Sequence, residues 1–389
     1  MAAADRAYKH TLLTSAQACK RRMLVCGDLV AEERSAVSAT FVVLDGIGSG
    51  LKANVAAQLF SSRLLSLLRH DFSTREACAR LMATMHSVRT QDVLFAAFSL
   101  VKVSNSGAAV IMSYEMPPPL LFESGAAAVA RQRFYTLSNE VVGEALFSLE
   151  PGNGFMVVTD GITQAGLGGR LAEGWGIAGA RDFANRALSA GRSLEELPRL
   201  MLEEAKALGG GAHHDDATAG LFTCRPGRTV HILTGPPAQR SLDGPAMIAF
   251  LKSDGMKVIC GSTTADIFAR HSGRKLTSDA PENPFEPPER FMEGVDMVTE
   301  GALTLNQLYN LMGERDAALD ADSTVAKLLL LLRSADRIYF HVGGARNPGH
   351  GGQIFRQLGV LPRRTIVPLI ADRLRAEGKL VIIQGTDLA

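Results

Sequence analysis

The first half of the chain carries short, densely apolar runs separated by stretches with helical spacing. Thr40–Leu44 (T-F-V-V-L) has no polar face, the pattern of a strand buried on both sides, and it ends at Asp45-Gly46. Met23–Val25 is a shorter apolar run of the same kind. Leu51–Leu68 places Leu51, Val55, Leu59, Leu64 and Leu68 near one face of a helix. Thr74–Val88 reads as a second helix, with Ser73 or Thr74 as N-cap and Glu76 in its first turn. Leu94–Val103 and Ala108–Tyr114 are strand-like, and Ser104–Gly107 between them is a hairpin-type turn. Pro117–Pro119 interrupts regular structure before a strand at Leu120–Phe122. Phe155–Thr159 is a further strand, ended by Asp160-Gly161; Leu194–Leu208 is helical and Ala217–Thr223 is a last strand. Runs of strands with a few helices between them imply an α+β layering.

After the turn-rich joint 224–228 (C-R-P-G-R) the order of elements changes. Strands at Thr229–Leu233, Lys257–Cys260, Arg337–Val342 and Lys379–Gln384 alternate with helices. Those helices fall at Pro245–Leu251, Thr264–His271, Leu305–Met312, Ser323–Arg333 and Arg364–Glu377. Such alternation predicts a βαβ-built, largely parallel sheet. The proline-rich stretch Asp279–Arg290 reads as a loop. Two domains are therefore expected, residues 1–225 and 229–389.

Composition adds limits. With 389 residues, 46% hydrophobic and 21% charged, the chain can fill two cores without disulfides. The 41 basic and 40 acidic residues leave a net charge of +1, so no basic field points to nucleic acid. Five widely spaced cysteines without a C-x-x-C pattern argue against a zinc or dithiol site and suit a reducing compartment. No apolar stretch has signal-peptide or membrane-spanning length, so the expected location is the cytoplasm, without a membrane partner.

Four aspartates share one setting, a strand end followed by a tight turn: Asp28 (C-G-D), Asp45 (L-D-G-I-G-S-G), Asp160 (T-D-G-I) and Asp215 (D-D-A-T-A). A carboxylate at a strand end is held firmly yet lies outside the sheet. Glycine after it lets the backbone turn and aim a carbonyl at the same point. Converging carboxylates make a hard-oxygen cage for Mg2+ or Mn2+. Two such ions can activate a water for in-line attack on phosphorus. Each Asp-Gly pair alone is also an ordinary turn; the weight rests on the set and its order.

Taken in order, C-G-D at 26–28, D-G-I-G-S-G at 45–50, P-P-P-L-L-F at 117–122, T-D-G-I at 159–162 and D-D-A-T-A at 215–219 resemble the metal-dependent protein phosphatases of the type 2C (PPM) superfamily. The likeness is to the compact bacterial branch that includes SpoIIE, RsbU and RsbX, and it spans about residues 20–223. It implies a four-layer α-β-β-α sandwich, followed here by the smaller α/β domain. It implies two metal ions, Mn2+ or Mg2+. Asp45 would bridge both and the Gly46 carbonyl would bind the second. Asp160 and Asp215 would complete the first ion's shell, and Asp28 would act through a water. Asp216 would be the lesser candidate of its pair, with Thr218 as structural support.

The resemblance also implies hydrolysis of phosphoserine or phosphothreonine on a protein, with a small anti-sigma-factor antagonist as the suggested substrate; separately, a homodimer is the candidate assembly. The helices at Leu51–Leu68 and Thr74–Val88 match elements that control activity in that branch, although their apolar stripes read first as core packing. Ile47 replaces the histidine that eukaryotic relatives carry after Asp-Gly. A water, or His213 and His214 beside Asp215, is then the candidate proton donor. Arg21 and Arg22 read as a solvated pair, and Gln164 stands where many bacterial relatives have glutamate.

In the second half, V-I-C-G-S-T-T-A-D-I-F (258–268) and Y-F-H-V-G-G-A-R-N-P-G (339–349) are strand–turn–helix starts rich in small residues. Gly261, Ser262, Thr263, Thr264, Gly343, Gly344 and Arg346 form a candidate ligand site there, at carboxyl ends of strands. Ordinary βα turns need the same residues. Two other functions fit the sequence: a weakly active or inactive phosphatase-fold regulator that senses a ligand through residues 229–389, and a hydrolase of a small phosphorylated molecule.

Overall fold

The computed structural model describes residues 8–88, 95–278, 290–320, 322–345 and 359–388. The chain forms two compact units, Lys9–Pro226 and the segment from Gly227 onward, which also takes in Tyr8.

The first unit begins with β1 (Lys9–Ala18), β2 (Asp28–Arg34), β3 (Ser38–Gly46), α1 (Leu51–Arg69) and α2 (Thr74–Val88). Then come β4 (Ala96–Ser104), β5 (Ala108–Tyr114), β6 (Leu120–Glu123), β7 (Ala126–Val129), β8 (Arg133–Leu137), β9 (Glu140–Ser148) and β10 (Gly154–Val158). It closes with α3 (Asp160–Thr163), α4 (Gly176–Ser189), α5 (Leu197–Leu208) and β11 (Ala217–Pro226). Two antiparallel sheets result, ordered β2-β3-β4-β5-β9-β8 and β1-β11-β10-β6-β7. Phe41, Val43, Phe155 and Phe222 fill the space between the sheets, with Phe155 and Phe222 stacked at 4.5 Å. Alternate residues of β3, Val42 and Leu44, face α1 and α2 instead, where they meet Leu64 and Leu81. That two-sided burial is why β3 has no polar face. α4 and α5 cover the other sheet through Ala180, Ala184 and Met201 on Met156, Val158 and Leu221. This is the expected α-β-β-α sandwich.

The predicted leucine face of α1 is corrected. Leu51, Val55 and Leu59 are 68%, 40% and 57% exposed, whereas Ala53, Ala56, Ala57, Ser61, Leu64 and Leu67 are buried. The helix start lies so close to the end of β3 that a side chain on Gly46 would overlap the Ala53 backbone. Only small residues fit such an approach, so the larger apolar ones of the first turns point outward. Ser73 caps α2 as its sequence indicates: Glu76 N–H donates to its hydroxyl at 3.2 Å, and the Glu76 carboxylate accepts from the Ser73 N–H at 3.0 Å.

Further readings change. Met23–Val25 is not a strand. β1, β2, β7, β8, β9 and α4 lie where no element was expected, and Asp28 opens β2 while Asp215 lies just before β11, so neither stands at a strand end followed by a turn. Asp160 opens the short helix α3 rather than a plain turn. Leu94 lies outside the described residues, as do residues 279–289 of the proline-rich stretch.

The second unit contains β12 (Thr229–Thr234), α6 (Asp243–Lys252), β13 (Met256–Cys260), α7 (Ser262–Ser272), β14 (Leu276–Ser278), β15 (Arg290–Met292) and β16 (Val295–Thr299). It continues with α8 (Ala302–Leu311), α9 (Thr324–Ser334), β17 (Arg337–Val342), α10 (Arg363–Ala376) and β18 (Leu380–Gly385). Five parallel strands run in the order β16-β13-β12-β17-β18, with β15 and β14 added antiparallel at one edge. α8, α9 and α10 pack on one face and α6 and α7 on the other. The sheet is thus doubly wound, and the strand order reverses between β12 and β17. β14–β16 had no counterpart among the expected strands.

Two histidines sit on the α6 face of this sheet. His231 Nδ1 and His341 Nε2 are 2.9 Å apart, His231 Nε2 lies 3.0 Å from the Asp254 carbonyl, and Gln384 Nε2 lies 3.0 Å from His341 Nδ1. The chain of bonds closes with both rings neutral: each donates from Nε2 and accepts at Nδ1. Burial pushes both down to about 4, and the facing ring adds to the fall at His341. In the unfolded chain histidine titrates near 6.5. Between those values the unfolded state binds more protons. The pair's contribution to stability is therefore complete above about pH 6.5 and is lost as pH falls toward about 4. An imidazole NMR titration of the intact chain should show two histidines still neutral at about pH 5. Ordinary titration of every histidine would contradict this arrangement.

Candidate metal centre

The register of β2 on β3 sets Asp28 directly opposite Asp45 on the first sheet. Asp160, just past β10, and Asp215, just before β11, come from the second. Asp28 is 2% exposed. Its Oδ2 accepts from the Thr218 hydroxyl at 2.6 Å and the Thr159 hydroxyl at 2.9 Å. Each hydroxyl is itself fixed: Thr218 Oγ1 accepts from Gln17 Nε2 at 3.0 Å, and Thr159 Oγ1 accepts from the Thr218 N–H at 2.9 Å. Gln17 also donates to the Asp28 carbonyl at 3.0 Å. The network orients the carboxylate and leaves Asp28 Oδ1 buried without a hydrogen-bond partner among the described residues. A buried oxygen in that state is what a cation or its water would engage.

The charges agree. Burial pushes the Asp45 carboxyl up to about 9, and negative charge on Asp28, Asp160 and Asp215 adds to the rise. Burial likewise raises Asp28 to about 6, against the pull of the two threonine hydroxyls. Carboxylates gathered this closely favour protons or a cation. The donor set is all oxygen, which fits Mg2+ or Mn2+, and Asp28, Asp45, Asp160, Asp215 and the Gly46 carbonyl are the groups that would hold them. Gly161 serves the same closeness as Gly46, since a side chain there would overlap the Asp216 carbonyl.

Asp216 has a different task. Its Oδ1 accepts from the Lys20 N–H at 2.8 Å and its Oδ2 from the Gly27 N–H at 2.9 Å. It therefore ties the segment before β2 to the start of β11. Cys19, Cys26 and Asp216 have side-chain atoms within 4.8 Å of one another on that segment. Asp215 Oδ1 instead accepts from the Asp216 N–H at 3.0 Å and lies 3.6 Å from Lys20 Nζ. Gln164 donates to Asp160 at 2.8 Å.

His213 and His214 line a cleft with Asp215, Gly161 and Gln164. Burial lowers His213, and His214 Nε2 is 2.9 Å from the Gly209 carbonyl. Arg21 and Arg22 are exposed, and Ile47 is 56% exposed. Gln17, Lys20 and Thr159 were not among the expected site residues. Thr159 stood inside the T-D-G-I motif, but Gln17 and Lys20 carry no local signal, because only the β1–β11 pairing and the turn after it bring them there.

In the second unit, Gly261, Ser262, Thr263 and Thr264 line one cleft at the carboxyl ends of β12, β13 and β16. Gly343 and Gly344 do not line it. They allow tight packing, since a side chain on Gly343 would overlap the Gly235 and Pro236 carbonyls and one on Gly344 would overlap Asp387. Arg346 lies outside the described residues.

An α-β-β-α sandwich with aspartates gathered from both sheets at one end is the architecture of the type 2C (PPM) phosphatase class. Residues 37–225, just under half of the chain, match the family model of stage II sporulation protein E (SpoIIE), which supports a place for this domain in the SpoIIE/RsbU-like branch. No curated protein matches the sequence. Among solved structures, the type 2C phosphatase domain of the Bacillus subtilis cell-fate determinant SpoIIE, with a fragment of its regulatory domain, is similar. Its identity is 18% and its TM-score 0.47, over 56% of this chain and 64% of that one. The RsbU and RsbW domains of a Mycobacterium tuberculosis protein are 18% identical with a TM-score of 0.46, over 69% and 72%. RsbX in complex with magnesium is 19% identical with a TM-score of 0.40, over 56% and 96%. The chain thus spans less than two thirds of the first of these structures.

Thr218→Val isolates the hydroxyl network. It removes a donor to Asp28 and an acceptor for Gln17 inside the protein. Stability should fall by about 1–3 kcal/mol, read from the denaturant midpoint, and Mn2+ affinity by about 10–100-fold, read by calorimetry. Unchanged Mn2+ affinity would mean that Thr218 does not orient Asp28.

Proposed function

We propose that the first unit is a metal-dependent serine/threonine protein phosphatase acting on a phosphorylated regulatory protein in the cytoplasm. The observation that carries this reading is the buried Oδ1 of Asp28, which has no hydrogen-bond partner among the described residues and feels the negative charge of Asp216 and Asp160. Two divalent ions at such a site would supply charge neutralisation and an activated water for in-line displacement at phosphorus. The chain's own part is placement. Thr159 and Thr218 hold Asp28, the Asp216 N–H and Lys20 hold Asp215, and Gln164 holds Asp160. Lys20, beside Asp215 and 38% exposed, puts a positive charge at the rim where a phosphate would enter. Burial disfavours the charged form of His213, which argues against it as the donor, and solvent is our proposed source of the proton for the leaving alkoxide. An anti-sigma-factor antagonist, the substrate implied by the resemblance, is the protein we propose to test first.

The intact protein should release phosphate from a phosphoserine peptide only with Mn2+ or Mg2+ present. Asp45→Ala should lower kcat/KM by at least about 1,000-fold. Equal rates for wild type and Asp45→Ala, or no release with Mn2+, would overturn the reading. Turnover confined to small phosphate esters would reassign the substrate class.

A further inference from the structure

We propose that the second unit binds a small phosphorylated molecule at the carboxyl ends of β12, β13 and β16. Its phosphoryl group sits at the paired starts of α7 and α8 beside Arg363, and its hydroxyl- or amino-bearing remainder lies beside Asp243.

The position follows from topology. In doubly wound sheets, ligands lie outside the carboxyl ends of the strands, where the strand order reverses. Here a cleft of about 190 Å3 lies outside the carboxyl ends of β12, β13 and β16, with Ala345 from the turn after β17 on its border. The turns after β13 and β16 meet through a glycine pair. Gly261 has φ +144°, and a side chain on Gly301 would come within 3.4 Å of the Gly261 Cα. That contact sets the starts of α7 (11 residues) and α8 (10 residues) side by side. Both helices have a glycine N-cap without a side-chain hydrogen bond, and neither has an acidic residue in its first turn. Their first N–H groups thus have no side-chain acceptor, and both dipoles favour an anion at one point.

Arg363 lines the same cleft. Its guanidinium donates to the Thr234 carbonyl at 3.1 Å and lies over Gly235, where φ is +81° and any side chain would overlap it. Among the described residues it pairs with no carboxylate. Burial pushes its pKa down, the mark of a cation drawn out of water without a counter-ion. Glu300 is the acidic group on the cleft, and it has partners of its own: Ser262 Oγ donates to it at 3.3 Å and Arg290 lies 3.7 Å away.

A second cavity, of about 690 Å3, shares Pro236, Thr263 and Ala345 with the first, and Arg240, Arg270 and His271 are on its wall. Asp243 lines it and is 6% exposed. Its Oδ1 accepts no hydrogen bond among the described residues, and its Oδ2 lies 4.0 Å from His271 Nε2. A buried carboxylate oxygen in that state suits a donor from a ligand, such as a sugar hydroxyl or an amino group. Together the cavities match a nucleoside monophosphate in size and polarity.

The test uses the full chain with a chelator, so that the aspartate centre holds no metal, and calorimetric titration with inorganic phosphate and with adenosine monophosphate. Both should bind, the nucleotide at least about tenfold more tightly. Thr263→Glu should weaken both by at least about tenfold. Thr263 is exposed and lines both cavities, and glutamate suits the first turn of a helix, so this variant should fold normally. Arg363→Gln should act in the same direction. Asp243→Asn should weaken the nucleotide and leave phosphate unchanged. Asp45→Ala should bind both like wild type, which separates this site from the aspartate centre. No binding of either probe at about 10 mM would overturn the proposal. So would binding indifferent to Thr263→Glu, binding lost in Asp45→Ala, or a nucleotide held no more tightly than phosphate.

Discussion

Four carboxylates held at one end of a sandwich repel one another, and the rest of the first unit is arranged so that they stay there. Burial together with the charges of neighbouring aspartates raises both Asp28 and Asp45. Carboxylates under that pressure protonate or take up a cation. The rise of Asp45 to about 9 is the first response; a divalent ion would provide the second. The same repulsion would splay the two sheets apart if side-chain hydrogen bonds did not cross between them. Thr159 and Thr218, at the end of the second sheet, both donate to Asp28 on the first.

Close approach is the second requirement. Carboxylates from β2, β3, β10 and β11 reach one point only if the turns around them have little bulk. Gly46 touches the Ala53 backbone and Gly161 touches the Asp216 carbonyl, so neither position admits a side chain. The alanine face of α1 follows from the same constraint, which joins core packing to the site. A helix with leucines turned inward would sit farther from β3 and move the turn that carries Asp45.

Much of this was legible in the sequence, for identifiable reasons. β3, β5 and β10 are buried on both faces or nearly so, and their apolar runs need no partner to be recognised. Asp45 and Asp160 were legible because each follows such a run and precedes glycine, whereas Asp28 and Asp215 were legible only through the short motifs C-G-D and D-D-A-T-A around them. α1 was legible as a helix, but its inward face was not. Hydrophobic spacing ranks leucine above alanine, and the deciding fact, contact between Gly46 and Ala53, is tertiary. β1 lacks a β-branched run and owes its place to ten paired positions along β11. Gln17 and Lys20 were hidden with it. In the second unit the parallel core was legible from alternation, whereas the roles of Gly343 and Gly344 depended on which loops they touch.

The two units build opposite electrostatics from the same kind of place, the turns at the ends of their sheets. In the first, side chains bring negative charge together and hydroxyls orient it, which suits a cation. In the second, backbone N–H groups of two uncapped helices and the guanidinium of Arg363 meet at one cleft, which suits an anion. A net charge of +1 hides both, because composition averages over the chain while a site depends on what converges within a few ångströms. The uncapped starts of α7 and α8 would weaken those helices in isolation. At the start of α7 a capping side chain is disfavoured by the backbone itself, since Gly261 has φ +144°.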